Sequence, residues 1–184
     1  QVNANVTSAG GGGNIELLAG GDVLQTTGTI SAVGSGTVTV SAGENFNDGS
    51  RLNGNANASF LMSDPAIINS EDGNITLRAP GNIGLARVNA DTNADALTAS
   101  LDTNSTVFVT ADFDGVAGGL ADGSGRITDN RTTDEAANIT ALGAALRAGS
   151  GVGDGVAGTD DIDTASTNSQ TFTLAAANDS GDIN

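Results

Sequence analysis

Asn74-Ile-Thr-Leu-Arg-Ala-Pro-Gly-Asn-Ile83 is the stretch that decides the fold. Its apolar residues alternate, Ile75, Leu77 and Ala79, with Thr76 and Arg78 between them. A period of two puts one face inside and the other in water, which describes a half-buried β-strand. A Gly follows, and the next apolar anchor, Ile83, falls eight positions after Ile75. The same pattern occurs in Asn14-Ile-Glu-Leu-Leu-Ala-Gly-Gly-Asp-Val23 and in Thr37-Val-Thr-Val-Ser-Ala-Gly-Glu-Asn-Phe46. There the alternating residues are Ile15, Leu17, Ala19 and Val38, Val40, Ala42, and the anchors are Val23 and Phe46. The first two copies are offset by 23 residues, and the third comes 37 later, after the looser stretch Asn47–Glu71.

Weaker copies extend the pattern. Val107, Val109 and Ala111 alternate, as do Phe172, Leu174 and Ala176, and Gly181-Asp-Ile183 echoes Gly21-Asp-Val23. Asn138-Ile-Thr-Ala-Leu142 is a partial copy. Gly, Asn and Asp at the strand ends supply the backbone angles that tight corners require. Short strands repeating every ~20–25 residues, with no helical period between them, match the coils of a β-helix. The expected fold is all-β: a right-handed parallel β-helix (β-solenoid) with loop insertions, forming one segment over residues 1–184. A single coil cannot bury its own apolar row, but stacking at ~4.8 Å per coil can. Roughly eight coils would make a rod about 40 Å long at that spacing. Leu142–Arg147 admits a turn of helix, which Gly143 and Gly149 keep from growing. Asn47–Asn57, Asp91–Asp95, Asp112–Gly125 and Gly149–Asp163 read as loops or extended corners.

Composition agrees with a thin aliphatic core. The chain has five Phe, no Trp or Tyr, and 27 Gly among 184 residues. With 22 acidic against six basic residues, all six of them Arg, the net charge is −16. Such a surface repels phosphates and anionic headgroups, which sets aside nucleic acid and membrane surfaces as partners. No stretch approaches the ~18 apolar residues of a membrane span. Cys is absent, so no disulfide framework exists.

Two segments carry a family resemblance: Gly73-Asn-Ile-Thr-Leu-Arg-Ala-Pro-Gly-Asn-Ile83 and Gly12-Gly-Asn-Ile-Glu-Leu-Leu-Ala-Gly-Gly-Asp-Val23. Both resemble the repeats of filamentous-haemagglutinin-type adhesins and related giant bacterial surface proteins. Leu146–Gly153, Ile162–Ala165, Phe172–Ala175 and Ser180–Ile183 look like a further recurring unit of such proteins. The resemblance implies a right-handed parallel solenoid, export to the bacterial cell surface or beyond, and a role in adhesion or surface assembly. It carries no catalytic residue. The implied partners are copies of the chain end to end, adjacent repeats of the same polypeptide, or a host or neighbouring-cell surface. Joined end to end, Ser180-Gly-Asp-Ile-Asn184 and Gln1-Val-Asn-Ala-Asn-Val-Thr-Ser-Ala-Gly10 read as one coil. The expectation is that this segment repeats in tandem or stacks end on end in a fibre, since an uncapped solenoid end is a row of open strand edges.

Chemistry-bearing residues are few. Without His, Cys or Lys, most zinc sites, Ser-His and Cys-His nucleophiles and Schiff bases are excluded. The expectation is that the chain is not an enzyme; a β-helix polysaccharide-degrading enzyme would need clustered carboxylates that no spacing here singles out. The acidic constellations are Asp112-Phe-Asp114-Gly115 and Asp160-Asp161-Ile-Asp163. Alternating Asp offers several hard oxygens, so Asp112, Asp114, Asp160, Asp161 and Asp163 are the candidate Ca²⁺ ligands. Neither stretch has the loop of an EF-hand, and solvated acidic loops account for the same residues. Asn-x-Ser/Thr sequons begin at Asn5, Asn57, Asn74, Asn104, Asn130, Asn138 and Asn178, and Asn74 and Asn138 each open a predicted strand.

Overall fold

A computed structural model describes residues 1–46, 55–92, 105–113, 123–131, 136–153, 161–166 and 172–183. These residues contain 17 strands and no helix. The strands come three to a turn. Turn 1 is β1 (Val6–Ser8), β2 (Ile15–Leu18) and β3 (Val23–Gln25); turn 2 is β4 (Thr29–Ala32), β5 (Val38–Ser41) and β6 (Phe60–Met62). Turn 3 is β7 (Ile67–Ser70), β8 (Ile75–Ala79) and β9 (Ile83–Leu85); turn 4 is β10 (Arg87–Asn89), β11 (Thr106–Ala111) and β12 (Arg126–Asp129). Turn 5 is β13 (Ile139–Ala141), β14 (Gly143–Ala148) and β15 (Gly151–Val152). Turn 6 is β16 (Thr164–Ser166) and β17 (Thr173–Asn178), closed by a bridge from Ile183 to Val152.

Corresponding strands of successive turns form three sheets. Sheet 1 runs β1-β4-β7-β10-β13-β16, sheet 2 runs β2-β5-β8-β11-β14-β17, and sheet 3 runs β3-β6-β9-β12-β15. Every ladder is parallel. The fold is therefore a parallel β-helix, as the alternation predicts.

Register explains the core. In sheet 2, Ile15 pairs with Val38, Val38 with Ile75, Ile75 with Val107, Val107 with Ala144, and Ala144 with Leu174. A parallel column runs through Leu17, Val40, Leu77, Val109, Leu146 and Ala176. Sheet 1 stacks Val6, Ile30, Ile68, Val88 and Ile139, and sheet 3 stacks Val23, Phe60, Ile83, Ile127 and Val152. Val38, Ile75, Val107, Ile68 and Ile83 are fully buried. Each such side chain removed from water contributes about 1.5–3 kcal/mol.

Several details differ from the sequence expectation. The described residues build six turns where about eight were expected, because a turn uses more chain than one period of 20–25. Val38 lies 23 residues after Ile15, yet Ile75 lies 37 after Val38 and Val107 lies 32 after Ile75. The extra chain enters at corners, and the ladders keep their register. The looser stretch Asn47–Glu71 itself holds β6 and β7. Phe46 is not the third-sheet anchor: it is 59% exposed and lies over Gly20, and Phe60 pairs with Val23 and Ile83 instead. Asn138-Ile-Thr-Ala-Leu142 belongs to sheet 1, not sheet 2, and Leu142–Arg147 leads into strand β14, where no helical turn forms. Phe172-Leu174-Ala176 sits two residues out of the expected phase, since Leu174 occupies the Ile15 column.

The corner between sheets 1 and 2 needs glycine. A Cβ on Gly36 would strike the carbonyl oxygen of Gly13, and one on Gly73 would strike that of Gly36. At the corner after sheet 2, Gly43 has φ +73°, and a Cβ there would meet Pro80 and the Asn55 carbonyl.

Candidate functional site

One motif recurs at all three corners. The residue just before a strand's first core position carries a side-chain oxygen, and that oxygen accepts the backbone N–H of the equivalent residue one turn on. Asn5 accepts from Thr29 (2.9 Å), Asn14 from Thr37 (2.9 Å) and Asp22 from Ser59 (2.9 Å). Ser59 accepts from Asn82 (3.1 Å), Asn74 from Thr106 (3.1 Å), Asn82 from Arg126 (3.0 Å) and Asn138 from Asp163 (2.9 Å). A corner N–H lies past the end of the strand ladder, and an Asn or Asp oxygen is short enough to reach it. The signal was present as Asn or Asp directly before Ile or Val: Asn5-Val6, Asn14-Ile15, Asp22-Val23, Asn74-Ile75, Asn82-Ile83 and Asn138-Ile139. Asn5, Asn74 and Asn138 among these also begin Asn-x-Thr sequons. Each of these locks has a direction, from a turn to the turn above it.

The two end turns are unlike the middle. β1, β2 and β3 form one edge of the three sheets, and β15, β16 and β17 form the other. Among the described residues, sheet 3 continues past these edges through the bridges of Val2 to Gln25 and of Val152 to Ile183. On the turn-6 face the core column emerges into solvent: Leu174 is 51% and Ile183 48% exposed. On the turn-1 face a depression of about 130 Å³ is lined by Val2, Leu17, Ala19 and Val23.

Of the candidate calcium ligands, Asp114 and Asp160 lie outside the described residues. Asp112 is fully buried at the corner after β11 with φ +63°, and its Oδ2 accepts the Gly123 N–H at 2.7 Å. Its carboxylate closes a corner where Gly43 stands in turn 2. Asp161 and Asp163 lie at a different corner, before β16. There Asp163 is surrounded by Asp129, Asp161 and Arg131, and burial followed by the two neighbouring carboxylates raises its pKa above the ordinary Asp value, with Arg131 opposing. Among the described residues no three acidic side chains gather as a metal would require.

The same corner holds a polar cluster that the sequence reading missed. Buried Asn138 donates from Nδ2 to Asp129 (2.5 Å) and to the Leu85 and Ala86 carbonyls. Asp129 also accepts the Arg131 N–H at 2.6 Å, and Arg131 Nη1 donates to the Ala137 carbonyl at 2.9 Å. Beside it on sheet 1 lies an outer groove of about 520 Å³, lined by Ile67, Asn69, Arg87, Asn89, Arg131 and Thr140. A second ionic cluster sits above sheet 2. Arg78 pairs with Glu44 at 3.2 Å, donates to Ser41 at 2.9 Å, and stacks 5.1 Å from the Phe113 ring centre.

No protein-family model matches the sequence, and no curated protein or solved structure is detectably similar to it.

Proposed function

We propose that the chain is a structural or adhesive module of a bacterial extracellular fibre or surface protein. In this reading it is a stiff, right-handed rod joined turn on turn to further copies or to adjacent repeats of the same polypeptide. The right hand is the one that strand twist favours for parallel crossovers. The observation that supports the reading is the continuous parallel stack itself: three ladders, from β1-β2-β3 at one end to β15-β16-β17 at the other, run through the described residues without a break in register. Open edges pair with further strands of the same kind, and a solenoid gains stability from each neighbouring turn. The motifs resembling bacterial adhesin repeats point the same way, as does the charge of −16, which keeps a large exported object soluble. Catalysis has no part in this reading. Electron microscopy of the native material tests it: fibres with a regular axial spacing are expected, and isolated globular particles would refute it.

A second reading, a ligand- or glycan-binding adhesin segment, draws on the sheet 1 groove, where Arg87 and Arg131 meet Asn69, Asn89 and Thr140. Binding of a monomeric chain to acidic glycans, lost in Arg87→Ala, would favour it.

A further inference from the structure

Arg78 and Arg147 stand in one outer column of sheet 2, with Thr110 between them. Arg78 is satisfied: it donates to Ser41 one turn below and pairs with the buried Glu44. Arg147, half-buried in β14, is not. Its Nε is shut away from water without an acceptor, and among the described residues no carboxylate pairs with it. A guanidinium kept this way is a cost to the fold, in a chain that has 22 acidic residues from which to draw a partner. Yet from turn 3 to turn 5 the outer positions of sheet 2 carry Thr, Phe, Gly, Ala and Arg and no carboxylate. We infer that Arg147 receives a carboxylate from outside the chain, on a glycan that ends in a sugar bearing one such group.

The surroundings of Arg147 point to a sugar. Ala145 is the preceding outer position of the strand, about 7 Å away. With Gly143 it floors a hollow of about 270 Å³, and Thr106 and Thr173 line the two sides. Phe108, 39% exposed, is the cross-strand neighbour of Ala145. The hollow opens sideways, at outer positions of sheet 2. An exposed aromatic ring, two hydroxyls and a guanidinium thus surround a space of the order of one sugar ring. The apolar face of a pyranose would lie on Phe108, its hydroxyls would meet Thr106 and Thr173, and its carboxylate would take the two-point geometry a guanidinium favours. An acidic peptide side chain would meet Arg147 but has no ring to lay on Phe108. A polyanion is disfavoured, because the net charge of −16 repels every further negative group. The site goes beyond the fibre reading, stands whether or not the chain assembles, and is separate from the sheet 1 groove of Arg87.

The test is calorimetric titration of the 184-residue chain with a trisaccharide ending in glucuronic acid, with its methyl ester, and with the neutral counterpart ending in glucose. The acid should bind at least ~10-fold more tightly than the other two. Arg147→Met should reduce the acid to the level of the ester and leave the melting temperature no lower than the parent's, since the guanidinium has no bond in the fold to lose. Phe108→Ala should weaken all three ligands ~2–10-fold. Thr110→Glu puts a carboxylate in direct register with Arg147, so it should raise the melting temperature slightly and abolish the preference for the acid. It also keeps the site testable if Arg147→Met fails to fold. No binding by the parent at millimolar sugar, equal binding of acid and ester, or undiminished binding by Arg147→Met would each overturn the inference. Binding lost in Arg87→Ala and kept in Arg147→Met would overturn it in favour of the sheet 1 groove. None of these outcomes bears on whether fibres form, so the fibre reading stands or falls by its own test.

Discussion

Ile75 and Leu174 belong to one column of one sheet, yet Ile75 is fully buried and Leu174 is 51% exposed. Their strands are alike in period. The difference is that Ile75 has a turn on each side, Val38 below and Val107 above, while among the described residues Leu174 pairs with Ala144 alone. Burial in this molecule is a property of position in the stack more than of the strand. The middle turns bury these columns, and on turn 6 the same sequence pattern leaves them exposed. That is the one-dimensional logic of solenoids, in which each repeat is stabilised by its nearest neighbours.

The largest test of this contrast is a charge in each place. Ile75→Asp should abolish folding of the central turns, since an unpaired buried carboxylate costs about 4 kcal/mol or more. Leu174→Asp should change stability by no more than about 0.5 kcal/mol. Chemical denaturation of both variants measures the gap. If Ile75→Asp were as stable as the parent, the column would not be a core.

Next comes the Arg78–Glu44 pair, where the Glu44 side chain is fully buried and Arg78 is 25% exposed. Arg78→Met would strand the Glu44 carboxylate and should cost about 2–3 kcal/mol, toward the low end because water reaches the arginine. Arg78→Met with Glu44→Gln should recover part of that loss, read by the same denaturation midpoint. A smaller effect separates a lock in the middle from its counterpart at the end. Asn74→Ala removes the acceptor of the Thr106 N–H and should cost about 1 kcal/mol, whereas Asp182→Ala should cost almost nothing in the isolated chain.

The smallest effect concerns pH. An acid whose folded-state pKa is raised disfavours folding once ionised. For Asp163 that penalty is fully present above its raised pKa and is relieved as pH falls toward the ordinary Asp value. Melting temperature should therefore rise slightly in the parent relative to Asp163→Asn as pH is lowered through this window. A constant difference between the two would show that neither burial nor the carboxylates of Asp129 and Asp161 raise its pKa.

How far the fold could be read in advance follows from the same contrast. Sheet 2 was legible because Ile15, Val38 and Ile75 begin strands of four or five residues with clean alternation, each introduced by Gly and then Asn or Thr. Sheet 1 was not, because its strands are three or four residues long and carry Ser8, Ser31 and Ser70 among the apolar ones. Three residues are too few for a period to show. In sheet 3 Val23 and Ile83 were found, but chain inserted after Glu44 moved the true partner from Phe46 to Phe60. Spacing fails as a guide wherever a corner lengthens. The corner locks were written plainly as Asn or Asp before Ile or Val, but their partners lie 23 to 44 residues away. No local reading pairs residues at such distances without the register. In the Asp129–Arg131–Asn138 cluster the bonds to Asp129 span two and nine residues, and the part hidden for the same reason is the pair of bonds from Asn138 to Leu85 and Ala86 one turn away.

The turns from Ile15 to Val38 and from Val38 to Ile75 differ by more than a dozen residues in contour, yet both advance the ladder by a single strand. The corner after β5 thus takes up extra chain without disturbing the columns. A peptide grafted there would be held at a fixed height, and grafts at the corresponding corners of other turns would be spaced in steps of ~4.8 Å. The molecule is in that sense a ruler, on which epitopes or enzymes could be mounted at graduated separations.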